Sequence, residues 1–211
     1  MASCLPRPSW SETARPVAVV WILLALVLAF ACYFATRQLA DVAGAAAFFA
    51  EDGPVETLQA GLVGLAGLVF LLGFRRSGDA KAIFCLGMAV VMGLAMQREI
   101  PNCASAYYDE GVCLPATGKA VFVGLLFVGA LICLAVKRPR LWSFFNPRNL
   151  LWAWPAGISL AMLLLAEVAE HRLAQDMEEL LELAAYLHLL AFSVWTARLP
   201  ARHSCLFACR A

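Results

Sequence analysis

The stretch AIFCLGMAVVMGLAMQREI, residues 82–100, decides the fold class of this chain. Its first sixteen residues, 82–97, carry no charge, and the run ends in the adjacent pair Arg98 and Glu99. Such a run is typical of a membrane helix, because lipid offers no hydrogen-bonding partner to backbone groups outside a helix or a closed barrel. The sequence therefore predicts a membrane span here, with charged residues at its end.

The composition extends this prediction to the whole chain. Hydrophobic residues make up 63% of the 211 residues and charged residues 15%, with a mean hydropathy of +0.77. A soluble domain has roughly 45–50% apolar and about 25% charged residues. The apolar run 17–35 exceeds the roughly 7–15 residues of a cleaved signal segment and is interpreted as a retained first helix. The chain is therefore predicted to be a polytopic membrane protein without a separate soluble domain.

Six apolar runs define the predicted architecture. We predict an all-α fold, a helical bundle of six transmembrane helices that forms one domain over residues 17–198. The predicted spans are about 17–35, 54–74, 82–99, 119–136, 150–171 and 178–197. Residues 1–16 and 199–211 are then N-terminal and C-terminal tails on the same side of the membrane.

The basic residues are sorted to one side of these spans. The two tails with the adjoining Arg198, the 75–81 turn and the 137–149 loop hold twelve of the sixteen Lys and Arg residues but only two of the fifteen acids, Glu12 and Asp79. Lys and Arg in short loops stay in the cytoplasm. The sequence therefore predicts that both termini are cytoplasmic, and that the other thirteen acids lie on the outer side.

This orientation places residues 97–113, QREIPNCASAYYDEGVC, outside the cytoplasm. Cys103 and Cys113 then lie in an oxidising compartment with nine residues between them, and we predict a disulfide. The other six cysteines fall in cytoplasmic tails or spans and are predicted to be reduced thiols: Cys4, Cys32, Cys85, Cys133, Cys205 and Cys209.

The uncharged runs are too short to cross a bilayer alone. They are as short as fifteen residues (183–197), sixteen (82–97) and seventeen (120–136 and 150–166), whereas about 20 residues are needed for roughly 30 Å of hydrocarbon. Basic residues fix their inner ends, so the helices should continue through charged residues at the outer end. Charged groups facing lipid are costly, so these should point inward as a polar cluster. The candidate cluster is Glu56, Arg98, Glu99, Lys119, Glu167, Glu170, His171, Glu178, Glu179 and Glu182.

Spacing supports a shared inward face on two of the helices. Glu167, Glu170 and His171 stand at i, i+3 and i+4, while Glu178 and Glu182 stand at i and i+4, with Tyr186 one turn further. The acids outnumber the bases, so some must hold or share a proton or bind a cation.

No cofactor is predicted, although a divalent cation remains an option. Its ligands would be Glu99, Glu170, His171 and Glu182.

Structural explanations compete at several positions. Glu56, Glu178 and Glu179 stand at helix starts, where acids favour the positive helix end without any site. His188, in the middle of the last span, is typical of an interhelical hydrogen-bonding residue. The glycines of GLVGLAG, residues 61–67, favour close helix packing. The aromatic residues of WSFFNPRNLLWAWP, residues 142–155, are typical of a membrane-interface belt.

Three short motifs carry a family resemblance: Glu51-Asp52-Gly53 with Glu56, Arg98-Glu99-Ile100, and Glu178-Glu179 with Glu182-Leu183. In these the chain resembles uncharacterised bacterial six-span inner-membrane proteins that carry E-D-G-x-x-E, R-E-[IL] and E-E-x-x-E-L. The resemblance implies a membrane-embedded acidic site and no particular activity. Seven-helix membrane hydrolases with histidine-bound zinc are a poor match, because this chain has three histidines and no His-x-x-x-His pair.

These observations leave three hypotheses for function. The first is a non-enzymatic accessory or assembly protein of the cell envelope that contacts a periplasmic or membrane protein partner. The second is a proton- or cation-coupled transporter or sensor using Glu99, Glu170 and Glu182. The third is an intramembrane hydrolase or transferase acting on an outer-leaflet lipid or envelope glycan, with Glu99, Glu170 and His171 in acid–base roles.

No nucleophile or metal-ligand motif is recognisable, which favours a protein that is not an enzyme. The Ala- and Leu-rich composition favours the cytoplasmic (inner) membrane of a bacterium. The lipid bilayer is the expected partner and nucleic acid is not, because the basic residues lie at a membrane face.

Overall fold

A computed structural model describes residues 16–43, 54–104, 113–171 and 175–199. In these ranges the chain is helical, without a β-strand, which confirms the all-α prediction for this part of the chain. The helices are α1 (Ala18–Ala43), α2 (Pro54–Arg76), α3 (Asp79–Glu99), α4 (Ala116–Lys137), α5 (Pro155–His171) and α6 (Gln175–Arg198).

Five of these helices are long and apolar enough to cross a membrane. The qualifying segments are Ala18–Gln38, Val55–Arg76, Asp79–Glu99, Ala116–Lys137 and Met177–Arg198. The apolar part of α5, Pro155–Ala169, is shorter. Length and composition thus support a helical membrane bundle with five candidate spans, and the sixth span stays a prediction.

Helix α6 is the centre of the bundle. It packs against α1, α2 and α5, while α2 also packs along α3. Ala184, Ala185 and Phe192 of α6 are completely buried. By contrast, α4 packs mainly against α3 and has no buried residue. The long faces of α1 and α4 that the bundle leaves uncovered are apolar, as expected of helices surrounded by lipid.

Glycines allow α2 and α3 to approach closely. A Cβ atom added at Gly67 would lie 3.3 Å from Met92 Cβ, and one at Gly64 would lie 3.1 Å from Met96 Sδ. Gly61 has no such neighbour within 4 Å. Two of the three glycines that the sequence marks for close packing therefore serve it, and Gly61 does not.

The fifth helix begins at Pro155, later than the predicted start at residue 150. Residues 147–149 and 151–153 form short 3-10 turns instead. Proline suits the first position of an α-helix, because its missing N–H would be unpaired there in any case. The apolar residues 150–154 therefore lengthen a folded connection rather than the helix.

This connection corrects the interpretation of the aromatic residues as one interfacial belt. Trp152 is 1% exposed; its ring stacks on Phe192 at 6.1 Å between centroids, and its Nε1 donates to Asn149 O at 2.7 Å. Trp142 and Phe145 are 86% and 72% exposed, and for these two residues the interfacial belt stays a prediction. The stretch therefore divides into a buried anchor and an exposed aromatic pair.

Two lysines bind the carboxyl ends of neighbouring helices. Lys137 Nζ, at the end of α4, donates to the carbonyl oxygens of Phe74 and Arg75 at the end of α2. The buried Lys81 donates from Nζ to Leu199 O, just after α6, at 3.1 Å. A cation at the negative end of a helix dipole is favourable, so these contacts stabilise the basic end of the bundle.

Candidate functional site

The helices pass through the charged residues at the opposite end of the bundle. Helix α3 extends to Glu99 and α5 to His171, while α2, α4 and α6 include Glu56, Lys119 and Glu178 in their first turns or close to them. We call this the acidic end. It is the end at which α3 finishes and α2 and α6 begin.

Glu182 of α6 forms an ion pair with Arg98 of α3. Arg98 donates to Glu182 Oε1 at 2.7 Å. The Glu182 side chain is 5% exposed, whereas the Arg98 side chain is 56% exposed. The carboxylate is therefore buried between helices and the guanidinium reaches toward the outside. The adjacent residues Arg98 and Glu99 do not pair with each other; each contacts α6 instead.

Glu99 accepts a hydrogen bond from a deeper residue of α6. The Tyr186 hydroxyl donates to Glu99 Oε1 at 2.9 Å, and both side chains are buried. Tyr186 follows Glu182 by four residues, so the two side chains lie one helical turn apart on the face of α6 that meets α3. The Arg98–Glu182 and Tyr186–Glu99 hydrogen bonds therefore join α3 and α6 at two successive turns of α6.

Glu179 connects α6 to α2 through Gln59. Gln59 Nε2 donates to Glu179 Oε2 at 2.9 Å and to Glu179 O at 3.1 Å. Gln59 is completely buried, and its Oε1 has no hydrogen-bond partner among the described residues. Burial of an amide in lipid-like surroundings is costly unless it is bonded, so this contact fixes the register between α2 and α6.

Together these contacts form what we call the carboxylate layer: Glu99, Glu179 and Glu182 with their partners Gln59, Arg98 and Tyr186. Glu56 and Glu178 also lie within electrostatic reach of Glu99, and Glu167 lies within reach of Glu182. Negative groups thus concentrate at the junction of α2, α3 and α6. The layer can hold these helices together, and its excess of carboxylates could hold a proton or a cation.

Not every predicted member of the cluster joins the layer. Lys119 is half-buried near the start of α4, and among the described residues no hydrogen bond or ion pair connects its side chain to the layer. Glu170 and His171, two of the four predicted cation ligands, have side chains outside the described part of the structure. Among the described side chains, no group of three or more His, Cys, Asp or Glu is arranged to hold a metal ion.

Cys103 and Cys113 lie at disulfide distance, as the sequence predicts, with 2.11 Å between their Sγ atoms. The backbone brackets the same loop, since Leu114 N donates to Pro101 O at 2.9 Å. Cys32, Cys85 and Cys133 are free thiols, also as predicted. The predictions for Cys4, Cys205 and Cys209 concern residues outside the described ranges.

His188 occupies a separate position in the bundle. Its Nδ1 lies 2.7 Å from Ser159 Oγ of α5, and its ring meets Trp21 of α1 edge-on at 5.3 Å between centroids. His188 and Ser159 are both completely buried. The contact connects α5, α6 and α1, which agrees with the interpretation of His188 as an interhelical hydrogen-bonding residue.

Gln59 is the member of the layer that the sequence analysis missed. A signal was available: Gln59 follows Glu56 by three residues, on the same helix face, and interrupts an apolar run.

Comparisons with protein-family models, with characterised proteins and with solved structures find no match to this chain. The fold and the layer therefore define a class, a small helical membrane bundle with buried carboxylates at one end.

Proposed function

We propose that this chain is a six-span protein of the bacterial inner membrane, with both termini in the cytoplasm, that acts as an accessory or assembly protein of the cell envelope. In this proposal α5 is the additional span, completed by the charged turn that ends at His171. The acidic end then faces the periplasm. The loop closed by Cys103 and Cys113 is the part presented to a periplasmic or membrane partner.

One observation carries this proposal: each buried carboxylate of the layer is bonded to a side chain from a different helix. Glu182 is bonded to Arg98, Glu99 to Tyr186, and Glu179 to Gln59. Hydrogen bonds between buried polar groups of different helices hold those helices in one arrangement, although Gln59 Oε1 has no partner among the described residues. A rigid bundle with short connections outside the membrane suits a protein that presents a loop to a partner.

A second candidate function, proton- or cation-coupled transport or sensing, is favoured by the charge imbalance of the layer. Glu99, Glu179 and Glu182 are all buried, and the ion pair in the described structure joins Arg98 to Glu182. Closely spaced buried carboxylates are a common means of holding a proton or a cation within a membrane. Glu99 and Glu182, on different helices, would be the exchanging pair.

The third hypothesis, an intramembrane hydrolase or transferase, gains no support from the described residues. It would need Glu170 and His171 as acid–base partners of Glu99, and those two side chains lie outside the described structure. We therefore keep the accessory function as the main proposal.

A pair of variants distinguishes the main proposal from the second. The first replaces residues 104–112 by a glycine-serine segment of equal length while retaining Cys103 and Cys113. An accessory protein should then lose a partner captured by crosslinking in intact cells, with no change in the stability of the bundle. The second is Glu99→Gln, which should keep that partner and only lower stability.

The opposite pattern contradicts the accessory function. If the replaced loop is harmless while Glu99→Gln and Glu182→Gln abolish ion or proton flux in proteoliposomes, the layer is a transport site. One tightly bound divalent ion per chain in the detergent-purified protein also overturns the main proposal, because the layer would then be a metal site.

A further inference from the structure

The basic end of the bundle gathers positive charge at one corner. Residues Arg75 and Arg76 end α2, while Lys137, Arg138 and Arg140 end α4 and begin the following connection. We call these five residues the basic corner. They come from segments separated by about sixty positions in the sequence, and the fold brings them together.

Backbone contacts hold this corner in place. Lys137 Nζ donates to Arg75 O at 3.2 Å and also to Phe74 O, and its ammonium lies 4.4 Å from the centre of the Phe74 ring. Arg140 N lies 3.4 Å from Asp79 Oδ1 at the start of α3. The ends of α2, α3 and α4 are therefore fixed next to one another.

Among the described residues, no acidic side chain forms an ion pair with the four arginines of the corner. Arg75, Arg76, Arg138 and Arg140 are all exposed. Within the described ranges, the ion pair recorded lies at the acidic end and none involves these arginines. Asp79 follows Arg75 and Arg76 along the chain, and its carboxylate accepts from the backbone N–H of Arg140. A concentrated positive surface thus remains available to an anion.

Exposed apolar side chains lie directly beside this charge. Leu141, Trp142 and Phe145 follow Arg140 and are 54%, 86% and 72% exposed. The rings of Trp142 and Phe145 lie 6.0 Å apart between centroids. Aromatic residues of this kind prefer the headgroup level of a bilayer, and here they follow the end of a helix apolar enough to span one.

We propose that the basic corner is a binding surface for the phosphate headgroup of an anionic phospholipid, with Trp142 and Phe145 against its acyl chains. Guanidinium groups bind phosphate oxygens through paired N–H donors. Basic pockets between helix ends at a membrane face are suited to anionic lipid headgroups. The combination of exposed arginines and an apolar ring pair fits a lipid better than a soluble phosphate or an acidic peptide, which has no acyl chain.

The experiment counts lipids bound to the detergent-purified full chain by native mass spectrometry. Phosphatidylglycerol is compared with the zwitterionic phosphatidylcholine for the wild type and for the variants R75Q/R76Q, R138Q/R140Q and R198Q. Arg198 ends α6 at the same level of the bundle and is exposed, so R198Q is the matched control. Each corner variant should weaken phosphatidylglycerol binding about 25-fold, roughly fivefold for each arginine removed, with R198Q within about twofold of wild type.

Several results would overturn the proposal. They are equal binding of the two lipids by wild type, equal loss in R198Q and the corner variants, or displacement of phosphatidylglycerol by inorganic phosphate at similar concentration. Thermal unfolding in detergent identifies a misfolded variant, and in that case R75K/R76K and R138K/R140K replace it. Because lysine keeps the charge but loses the paired donors, these variants should bind more weakly than wild type and more tightly than the glutamine variants.

Discussion

At the scale of single residues, the acidic end depends on a few donors that meet buried carboxylates. Tyr186, Arg98 and Gln59 each donate to a different glutamate. A carboxylate left without its donor in a buried position loses more than the energy of a hydrogen bond, because its lost hydration is no longer compensated. Removing the donor alone should therefore lower the free energy of unfolding more than removing the donor and neutralising its carboxylate together.

Removing the Tyr186 hydroxyl tests the contact with Glu99. Tyr186→Phe should lower the free energy of unfolding by about 1–2 kcal/mol, because Glu99 loses its donor while the ring stays in place. Equilibrium unfolding in mixed micelles measures this change. Tyr33→Phe on α1 is the control, since Tyr33 is 38% exposed and the substitution should cost almost nothing. Equal effects of the two substitutions would contradict the role of the Tyr186 hydroxyl.

The ion pair between Arg98 and Glu182 predicts that a double variant is more stable than the variant that lacks Arg98 alone. Arg98→Gln alone should cost about 2 kcal/mol, because it leaves the buried Glu182 carboxylate without its cation. Adding Glu182→Gln should restore part of that loss, since two neutral amides can bond to each other. The same unfolding measurement on both single variants and the double variant gives the coupling. Additive losses would show that the two side chains do not depend on each other.

At the scale of helices, α2 and α3 pack closely because glycines of α2 leave room for side chains of α3. Gly67 lies against Met92, whereas Gly61 on the same helix faces open space. Gly67→Leu should separate the two helices and lower stability by about 1–3 kcal/mol, while Gly61→Leu should change it little. The measurement is unfolding in mixed micelles with both variants in parallel. A comparable loss in Gly61→Leu would mean that leucine itself, rather than helix contact, is responsible.

The approximate positions of the apolar helices, though not the start of α5, could be predicted from the sequence because hydrophobic length and charge are local properties. Helix α3 extends to Glu99, and α6 includes Glu178 and Glu182. Both helices include these charged residues because their uncharged runs are too short to cross a membrane alone. The burial of Trp152 could not be predicted in this way. Its partner Phe192 lies forty positions away, and nothing in the local pattern separates Trp152 from the exposed Trp142.

The same limit applies to the carboxylate layer. Spacing along one helix places Glu182 and Tyr186 on a shared face, and the structure agrees. Which residue each would meet depends on how α2 and α3 are rotated about their axes, and this rotation is set by packing. The sequence therefore predicted a cluster of acids but not the pairing of Glu179 with Gln59.

At the scale of the whole molecule, the distribution of charge predicts orientation in the membrane. If the acidic end faces outward, the Cys103–Cys113 pair should be oxidised in cells, and a membrane-impermeant thiol reagent should label it from outside after mild reduction. A single-cysteine variant that places a thiol at Arg140 (R140C) should be labelled only after the membrane is opened. Labelling of both sites from outside would contradict the orientation, and gel mobility shifts report the result.

The central helix of the bundle, α6, is also the last of the described helices along the chain. Gln59 and Glu99 emerge from the ribosome with α2 and α3, but the residues that bond to them, Glu179 and Tyr186, are synthesised much later. Until then, α2 and α3 carry polar side chains without their final hydrogen-bond partners, which is costly in lipid. Newly made chains should therefore depend on an insertase or chaperone during this interval, and messages truncated before codon 175 should yield products that quality-control proteases remove.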